Sequence, residues 1–320
     1  MRSLISGGTG FVGPYLCRHL LECGDEVVVF SVDDPSRLPA GVRFVHIDIR
    51  DAHAVQRLFE EVRPGAVYHL AAIASVGAAR KNPRLVFEVN VTGTYNVFEA
   101  ACRLPAPPRL LNVSSSHVYE GDREWLDEAS PVAPGNAYAA SKAMAELIAV
   151  QFADTASADY VIARPFNHSG PGQEPAFVLS SFAHQIARME AGLAPPRLEV
   201  GDLEVERDFL DVRDVVRAYR LLIERGRSRQ VYNIGSGQVH SISQILEMFR
   251  AFSRTRFEVH VNPDRLRGSQ ARRLGGNPAK LAADTGWHPE IPLATTLRDL
   301  LDYWRAALNI VDASPASSRS

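Results

Sequence analysis

The sequence predicts an α/β fold: a doubly wound parallel sheet followed by a smaller α/β domain at the C-terminal end. Three observations predict it. Short strand-like runs alternate with helical patterns over the first 164 residues, the signature of a parallel sheet with helices on both faces. The first of these strands runs directly into a glycine-rich turn and then a helix. The chain has 320 residues, long enough to bury a large core as one elaborated domain or two intimate ones.

The first element is Arg2-Ser-Leu-Ile-Ser6, a β-like run that ends at Gly7-Gly-Thr-Gly-Phe-Val-Gly13. From Phe11 to Cys23 the apolar residues Val12, Leu16, Leu20 and Leu21 recur with helical rhythm, and Pro14 is tolerated in a first turn. Strand, glycine turn and helix in that order are the context of a dinucleotide-binding loop. Glycine lets the backbone approach a pyrophosphate, and the helix N-terminus offers unpaired N–H groups. The spacing is Gly-x-x-Gly-x-x-Gly. The fold expected is therefore of the Rossmann type, with Gly7, Thr9, Gly10, Phe11, Val12 and Gly13 as the loop that holds the cofactor.

Strand-like runs continue at Glu26–Val32, Arg43–Ile49, Ala66–Leu70, Arg109–Ser114 and Asp159–Arg164, separated by helical patterns near Ala52–Val62, Pro83–Cys102 and Ala137–Phe152. Ligands of such sheets lie at the carboxyl ends of the strands. That places Asp48, Ile49, Leu70, Ala71, Ala72 and Ser114–Ser116 along the same edge as the glycine turn. Asp48 is a candidate for the adenine amino group or, alternatively, part of a cap for the helix beginning at Asp51. The second strand ends in Ser31, with Asp33, Asp34 and Arg37 beyond. Ser31 and Arg37 suit a ribose 2′-phosphate, whereas Asp33 suits a free hydroxyl; the balance favours NADP(H) over NAD(H).

Tyr138 and Lys142 lie four residues apart in Asn136-Ala-Tyr-Ala-Ala-Ser-Lys142, at the start of a run of helix formers. On a helix they share a face. A neighbouring cation brings a phenol of ordinary pKa about 10 closer to neutrality, one way to build a proton donor for a carbonyl; taken alone, the same spacing also reads as a solvated pair on a surface helix.

Composition excludes several function classes. The formal net charge is −2 with 22% charged residues, so neither a nucleic-acid partner nor an acidic disordered tail is expected. Cys17, Cys23 and Cys102 are odd in number and contain no CxxC pair, which reads as reduced thiols rather than disulfides or a metal site. The weakly polar stretch Val67–Ala79 is interrupted by His69 and is too short to span a bilayer. With a strand starting at residue 2, no signal peptide is expected, and a cytoplasmic location follows. Residues 1–164, joined by about 205–235, are expected to form the cofactor domain; 165–204 and 236–310 the substrate domain; 311–320 a frayed tail. Pro171, Pro175, Pro195-Pro196 and Pro263 mark the loops of the substrate domain.

Ser114-Ser-Ser-His-Val-Tyr119, Tyr138-x-x-x-Lys142 and the glycine loop together resemble the extended short-chain dehydrogenase/reductases, over residues 2 to about 306. The runs Arg164-Pro-Phe-Asn-His-Ser-Gly-Pro-Gly-Gln173, Glu206-Arg-Asp-Phe-Leu-Asp-Val-Arg-Asp214 and Tyr232-Asn-Ile-Gly-Ser-Gly237 are similar to members acting on nucleotide-diphosphate sugars. Asp264-Arg-Leu-Arg-Gly268 and Thr296-Leu-Arg-Asp-Leu-Leu-Asp-Tyr-Trp304 are similar to the GDP-4-keto-6-deoxy-mannose reductases of the GDP-mannose branch.

The resemblance implies Ser115 as the catalytic hydroxyl, with Ser116 as its alternate, and adds Asn90 and Pro165 to the cofactor contacts. On the substrate side it implies Ser116, His117, Asn167, Val178, Arg207 and Arg267, the arginines matching a diphosphate by charge and fork geometry. Arg273 stands behind them. Each arginine also reads as a surface ion pair, Arg207 especially, beside Glu206 and Asp208. Dehydratases of the superfamily carry acidic residues directly after the catalytic hydroxyl, where this chain has Ser116 and His117, so dehydration is disfavoured. His117 reads either as an added acid/base or as a pocket-lining residue, and His168 as a turn-holding one. Asp211–Asp214 reads as the start of a helix.

The implied reaction is reduction of the C4 ketone of a GDP-linked 4-keto-6-deoxy sugar to GDP-D-rhamnose. In it Tyr138 gives the proton, Ser115 hydrogen-bonds the same oxygen, and Lys142 tunes the phenol and holds the nicotinamide ribose. The alternatives are a nucleotide-sugar 4-epimerase with tightly held NAD+ and a non-catalytic dinucleotide sensor. A homodimer through the Tyr138 helix is expected, with Leu147, Ile148 and Phe152 supplying apolar positions.

Overall fold

The computed structural model describes residues 1–74, 76–119, 125–265 and 272–308. Arg267 and the expected tail at 311–320 lie outside these residues.

Seven parallel strands form the central sheet: β1 (Arg2–Ser6), β2 (Glu26–Ser31), β3 (Arg43–His46), β4 (Ala66–His69), β5 (Arg109–Val113), β6 (Tyr160–Pro165) and β7 (Gln230–Ile234). Their spatial order is β7-β6-β5-β4-β1-β2-β3. The chain winds outward from β1 to β3, then crosses back to β4 on the other side of β1. The reversal opens a crevice between β1 and β4 at their carboxyl ends.

Alternation along the strands explains why helices cover both faces. Leu4, Val28, Phe30 and Val67 point into one core, with the helices Ala52–Val62, Gly93–Cys102 and Ala137–Ala156. Their neighbours Ile5, Val27, Val29 and Tyr68 point into the other, with the helices Gly13–Glu22 and Val212–Arg225. A period of two on a strand forces this division. All eight of these side chains are at most 1% exposed, and each contributes roughly 1.5–3 kcal/mol of burial free energy.

The helix expected over Pro83–Cys102 is interrupted. It runs as Pro83–Phe87, then a π-turn at Glu88–Thr92, then Gly93–Cys102. The buried Asn90 sits in that turn, with its side chain drawn to the backbone of Ile73. A π-bulge of this kind is a common device for re-aiming one side chain. Immediately after it, a Cβ on Gly93 would lie 2.7 Å from Cγ2 of Ile49, so the second helical segment reaches the sheet only with glycine there.

A third core lies in the C-terminal half. The helices Val178–Glu190, Ile242–Phe252 and Leu293–Ala307 enclose Phe182, Ile186, Ile245, Phe249 and Leu300, backed by the strand pair Arg197–Val200 and Glu258–Val261. Asp211 caps the helix Val212–Arg225 by accepting from the Arg213 N–H at 2.8 Å, the structural role its position implied. Among the described residues no helix is long and apolar enough to cross a membrane.

The glycine turn is closely packed. A Cβ on Gly13 would stand 2.0 Å from the carbonyl oxygen of Gly8, and a backbone atom cannot move aside cheaply. Gly13→Ala is therefore expected to lower unfolding free energy by about 2–3 kcal/mol, measured by urea denaturation; a loss below about 0.5 kcal/mol would contradict this close packing.

Candidate active site

A cleft of about 610 Å³ follows the carboxyl ends of β1, β2, β4 and β5 and runs under the segment after β6. At one end Gly7 turns the chain with φ +67°, where glycine is at home. A Cβ there would lie 2.5 Å from Cα of Ala71. The helix Gly13–Glu22 starts with Val12 at its N-cap, and no side chain caps it. Its first N–H groups therefore face the cleft available for an anion. These features fit a dinucleotide pyrophosphate.

At the end of β2, the Thr9 hydroxyl donates to Oγ of Ser31 at 2.7 Å, and the Asp33 N–H points to the same oxygen at 3.4 Å. Ser31, Asp33, Asp48 and Ile49 line the cleft. Asp48 is also gripped by Arg50, whose Nη2 donates at 2.6 Å, and the guanidinium holds its carboxyl below the usual range. Asp51, not Asp48, caps the next helix by accepting from the Ala54 N–H. Arg37 lies off the cleft wall, with Nη2 donating to the Gly172 carbonyl at 3.0 Å.

At the other end Ser115, Ser116, His117, Tyr138 and Lys142 line the cleft together with Pro165, Asn167 and Val178. Asn136 caps the Tyr138 helix by accepting from the Ala139 N–H at 3.0 Å, and Tyr138 and Lys142 then share the inner face. Burial raises the Tyr138 phenol above its ordinary value, and the Ser115 hydroxyl draws it down. Lys142 donates to the Val113 carbonyl at 2.7 Å. Burial lowers its ammonium to about 8, against the pull of Glu146. The His117 ring meets the Tyr138 ring edge-on at 6.1 Å.

Beneath these groups runs a chain of hydrogen bonds that local sequence patterns do not reveal. Thr94 donates to the Asn90 carbonyl at 2.5 Å, so its oxygen accepts from Nε2 of His69 at 2.8 Å. That leaves Nδ1 of His69 to accept from Ser6 at 2.7 Å, and Ser6 in turn accepts from the Ala71 N–H at 3.3 Å. Asn90 completes the link: its amide donates to Ser141 at 2.9 Å, and Ser141 donates to the Tyr138 carbonyl at 2.7 Å. Asn90 thus stands behind the cleft wall rather than on it. The whole chain joins the glycine turn to the Tyr138 helix.

On the substrate side the structure separates some expected residues. Asn167 lines the cleft and donates to the Asp208 carbonyl at 3.3 Å. Arg207 is not on the cleft wall; Nη1 donates to the carbonyls of Glu206 (2.7 Å) and Arg272 (3.3 Å). The two carboxylates beside it are engaged elsewhere, Glu206 with Arg273 and Asp208 with Ser236, Gly237 and Gly276. His168 donates from Nδ1 to the Phe166 carbonyl at 3.0 Å and stacks on Phe11 at 6.2 Å. Phe177 and Tyr219, which no local sequence pattern marks as contacts, also line the cleft. Among the described residues no group of three or more His, Cys, Asp or Glu side chains is placed to hold a metal.

The model of the GDP-mannose 4,6 dehydratase family matches residues 4–300. The chain belongs to this family. The chain is 37% identical over 309 residues to the GDP-6-deoxy-D-mannose reductase of Pseudomonas aeruginosa, covering 95% of this chain and 97% of the relative. It is 29% identical over 309 residues to the UDP-glucose 4-epimerase of Streptomyces lividans, covering 89% of this chain and 91% of that one. Two solved structures share the family fold. The RMD of Pseudomonas aeruginosa complexed with NADPH superposes with a TM-score of 0.84 at 34% identity, covering 96% and 99% of the two chains. The UDP-glucose 4-epimerase of Thermus thermophilus in complex with NAD superposes with a TM-score of 0.86 at 32% identity, covering 96% and 100%.

Burial drives the His69 imidazole down to about 3, helped by the Lys142 charge. The folded state therefore keeps it neutral while the unfolded chain takes up a proton near pH 6.5. Its contribution is intact above pH 6.5 and is lost as pH falls from there toward 3. Between pH 6.5 and 5 the loss from this residue is about 2 kcal/mol. Urea unfolding of His69→Gln at a series of pH values is expected to show a shallower decline over that interval than the wild type.

Proposed function

We propose that this protein reduces the C4 ketone of a GDP-linked 6-deoxy-4-keto-hexose with NAD(P)H, giving GDP-D-rhamnose. The observation that carries the reading is the convergence of Ser115, Tyr138 and Lys142 on the cleft that begins at the glycine turn, in a chain 37% identical to a GDP-6-deoxy-D-mannose reductase. A bound reduced nicotinamide supplies hydride. Tyr138 gives its proton to the developing alkoxide, and Ser115 hydrogen-bonds the same oxygen. Lys142 holds the nicotinamide ribose and balances phenolate once the proton has left. Burial favours neutral Tyr138 before reaction, the form that an acid requires.

NADP(H) is the cofactor we favour. Ser31 ends the second strand with a hydroxyl, and a structural relative at 34% identity was solved with NADPH. Dehydration finds no support in the cleft: Ser116 and His117 occupy the positions after Ser115, and neither is a carboxylate. A 4-epimerase with retained NAD+ is the second reading, supported by the 29% identity to the UDP-glucose 4-epimerase.

We take Asn167, which lines the cleft, and Arg267 as diphosphate contacts and His117 as a wall of the sugar site; Arg207 joins them only by turning away from the carbonyls of Glu206 and Arg272. Of the positions expected to supply the dimer, Leu147 is exposed, whereas Phe152 is buried in the chain's own core and Ile148 packs against it. The homodimer reading rests instead on Met144, Leu147 and Val150 of the Tyr138 helix and Tyr95 of the helix before it, each at least 41% exposed. Leu147→Glu is expected to yield a monomer by light scattering, and a wild-type protein that is itself monomeric would remove the dimer.

GDP-4-keto-6-deoxy-D-mannose should drive stoichiometric oxidation of added NADPH, followed by absorbance. Conversion without added cofactor by protein purified with bound NAD+ would instead support the epimerase. Tyr138→Phe is expected to lower kcat by about 10²–10⁴-fold, and full activity would exclude its acid role. Since burial brings Lys142 down to about 8, kcat/KM is expected to decline above that pH. A panel of GDP-, UDP- and dTDP-linked 4-keto sugars, with product stereochemistry, tests the sugar nucleotide.

A further inference from the structure

Glu146 continues the line of Tyr138 and Lys142 by another four residues, on the same face of the helix. Glu146 is 7% exposed and Arg164 is 5% exposed. Arg164 reaches Glu146 with a fork, Nε to Oε1 at 2.8 Å and Nη2 to Oε2 at 2.6 Å. The Ser114 hydroxyl donates to the same carboxylate at 2.5 Å. Ser114 immediately precedes Ser115 at the end of β5, and Arg164 immediately precedes Pro165 on β6.

These bonds belong to a register of three. Asn112 donates to the Ala145 carbonyl at 3.0 Å, Lys142 donates to the Val113 carbonyl at 2.7 Å, and Ser114 donates to Glu146. Three consecutive residues at the end of β5 are thus pinned to one turn of the Tyr138 helix. The third pin is the one nearest Ser115 and the only one of the three that carries charge on the acceptor. Arg164 also lies 4.7 Å over the Tyr119 ring, at the end of the Ser115–His117 turn.

A buried ion pair is a poor source of net stability, because both charges lose their hydration. Two well-packed apolar side chains would hold helix to sheet at least as well. What they would not supply is a fixed direction for Ser114 or a negative charge one turn below Lys142. We propose that Glu146 is a positioning residue for the proton-donating pair: it sets the separation of Ser115 from Tyr138 through Ser114, and its charge holds Lys142 in the ammonium form.

The charge effect is defined by the groups that face it. Arg164 and Tyr160 approach Glu146 from β6, and Lys142 lies above it on the helix. Lys142 also faces His69 from β4, which burial keeps neutral. Tyr138 faces His117 and Tyr219. Within this set Glu146 is the one anion, so its neutralisation moves the Lys142 proton toward release at lower pH, and loss of that cation in turn shifts the titration of the Tyr138 phenol one turn away.

The proposal rests on the reductase reading for its kinetic arm alone. Two variants separate geometry from charge. Glu146→Gln keeps the length of the side chain and loses the charge. Its alkaline limb of kcat/KM is expected to move down by about one pH unit, with kcat reduced about tenfold. Glu146→Asp keeps the charge and shortens the reach. It is expected to hold the limb in place while kcat falls roughly 10–100-fold through misplacement of Ser115, with KM for NADPH little changed.

Phenolate absorbance, taken as the difference between each protein and its Tyr138→Phe counterpart, follows the phenol directly. It needs no turnover, so a failed substrate assignment leaves this arm standing. Circular dichroism and dinucleotide fluorescence establish that each variant is folded. A Glu146→Gln protein that binds dinucleotide, and whose Tyr138 titrates as in the wild type, overturns the charge role. A Glu146→Asp protein with wild-type kcat overturns the positioning role.

Discussion

The cleft depends on how closely two backbone turns approach where the strand order reverses. Gly7 follows β1 and Ala71 follows β4, and a single added carbon on Gly7 would stand 2.5 Å from the Ala71 Cα. That contact sets the distance between the two halves of the sheet at their carboxyl ends. Ser6 and His69, the last residues of the same two strands, are then close enough to share a proton at 2.7 Å. His69 passes the constraint to Thr94 and Asn90, and Asn90 passes it to the Tyr138 helix through Ser141. The phosphate-binding end and the proton-donating end of the cleft are therefore joined by side chains of one fixed tautomer.

The second constraint comes from the opposite side. The Tyr138 helix is not merely laid on the sheet by its apolar residues, since Ala145, Ala149 and Ala153 are small and leave room for sliding. Polar bonds to Asn112, Val113 and Ser114 remove that freedom. Each neutral bond contributes only about 1 kcal/mol net, yet a slip of one residue would leave several buried polar groups unsatisfied at once. Register is thus held mainly by what the alternatives would cost.

Much of this was legible in the sequence where the signal is local. A spacing of four marks Tyr138 and Lys142, a strand, a turn and a helix in succession mark Gly7–Gly13, and alternating runs mark the strands of the sheet. Within the cofactor half, the first and last residues of elements moved by a few positions, as at Ser31 and His46. The π-turn at Glu88–Thr92 was not legible, because it exists to satisfy Ile73, far back along the chain. In the sequence His69 shows only as an interruption of an apolar run, because its partners Ser6 and Thr94 are distant from it along the chain. Glu146 was within reach, since it extends the Tyr138–Lys142 spacing by one more turn. The charge of Arg207 and its place in the Glu206–Asp214 run do not say which way its side chain turns, and it turns to the carbonyls of Glu206 and Arg272.

A reductase must release its oxidised dinucleotide at each turnover, whereas an epimerase that regenerates its cofactor in place need not. The contacts that join the glycine-loop side of the cleft to the segment after β6 bear on this difference. They are the Phe11–His168 stack, the Tyr15 hydroxyl donating to the Pro171 carbonyl at 2.7 Å, and Arg37 donating to the Gly172 carbonyl at 3.0 Å. Each is worth about 1 kcal/mol, and Arg37 makes its bond in solvent. Parting all three costs on the order of 3 kcal/mol, small enough to be crossed many times a second. By contrast, the Ser6–His69–Thr94 chain lies in the floor, where nothing has to move for a dinucleotide to leave. Rigid below and lightly fastened above, the cleft suits exchange of cofactor on every cycle better than its retention, and this favours reduction over epimerisation.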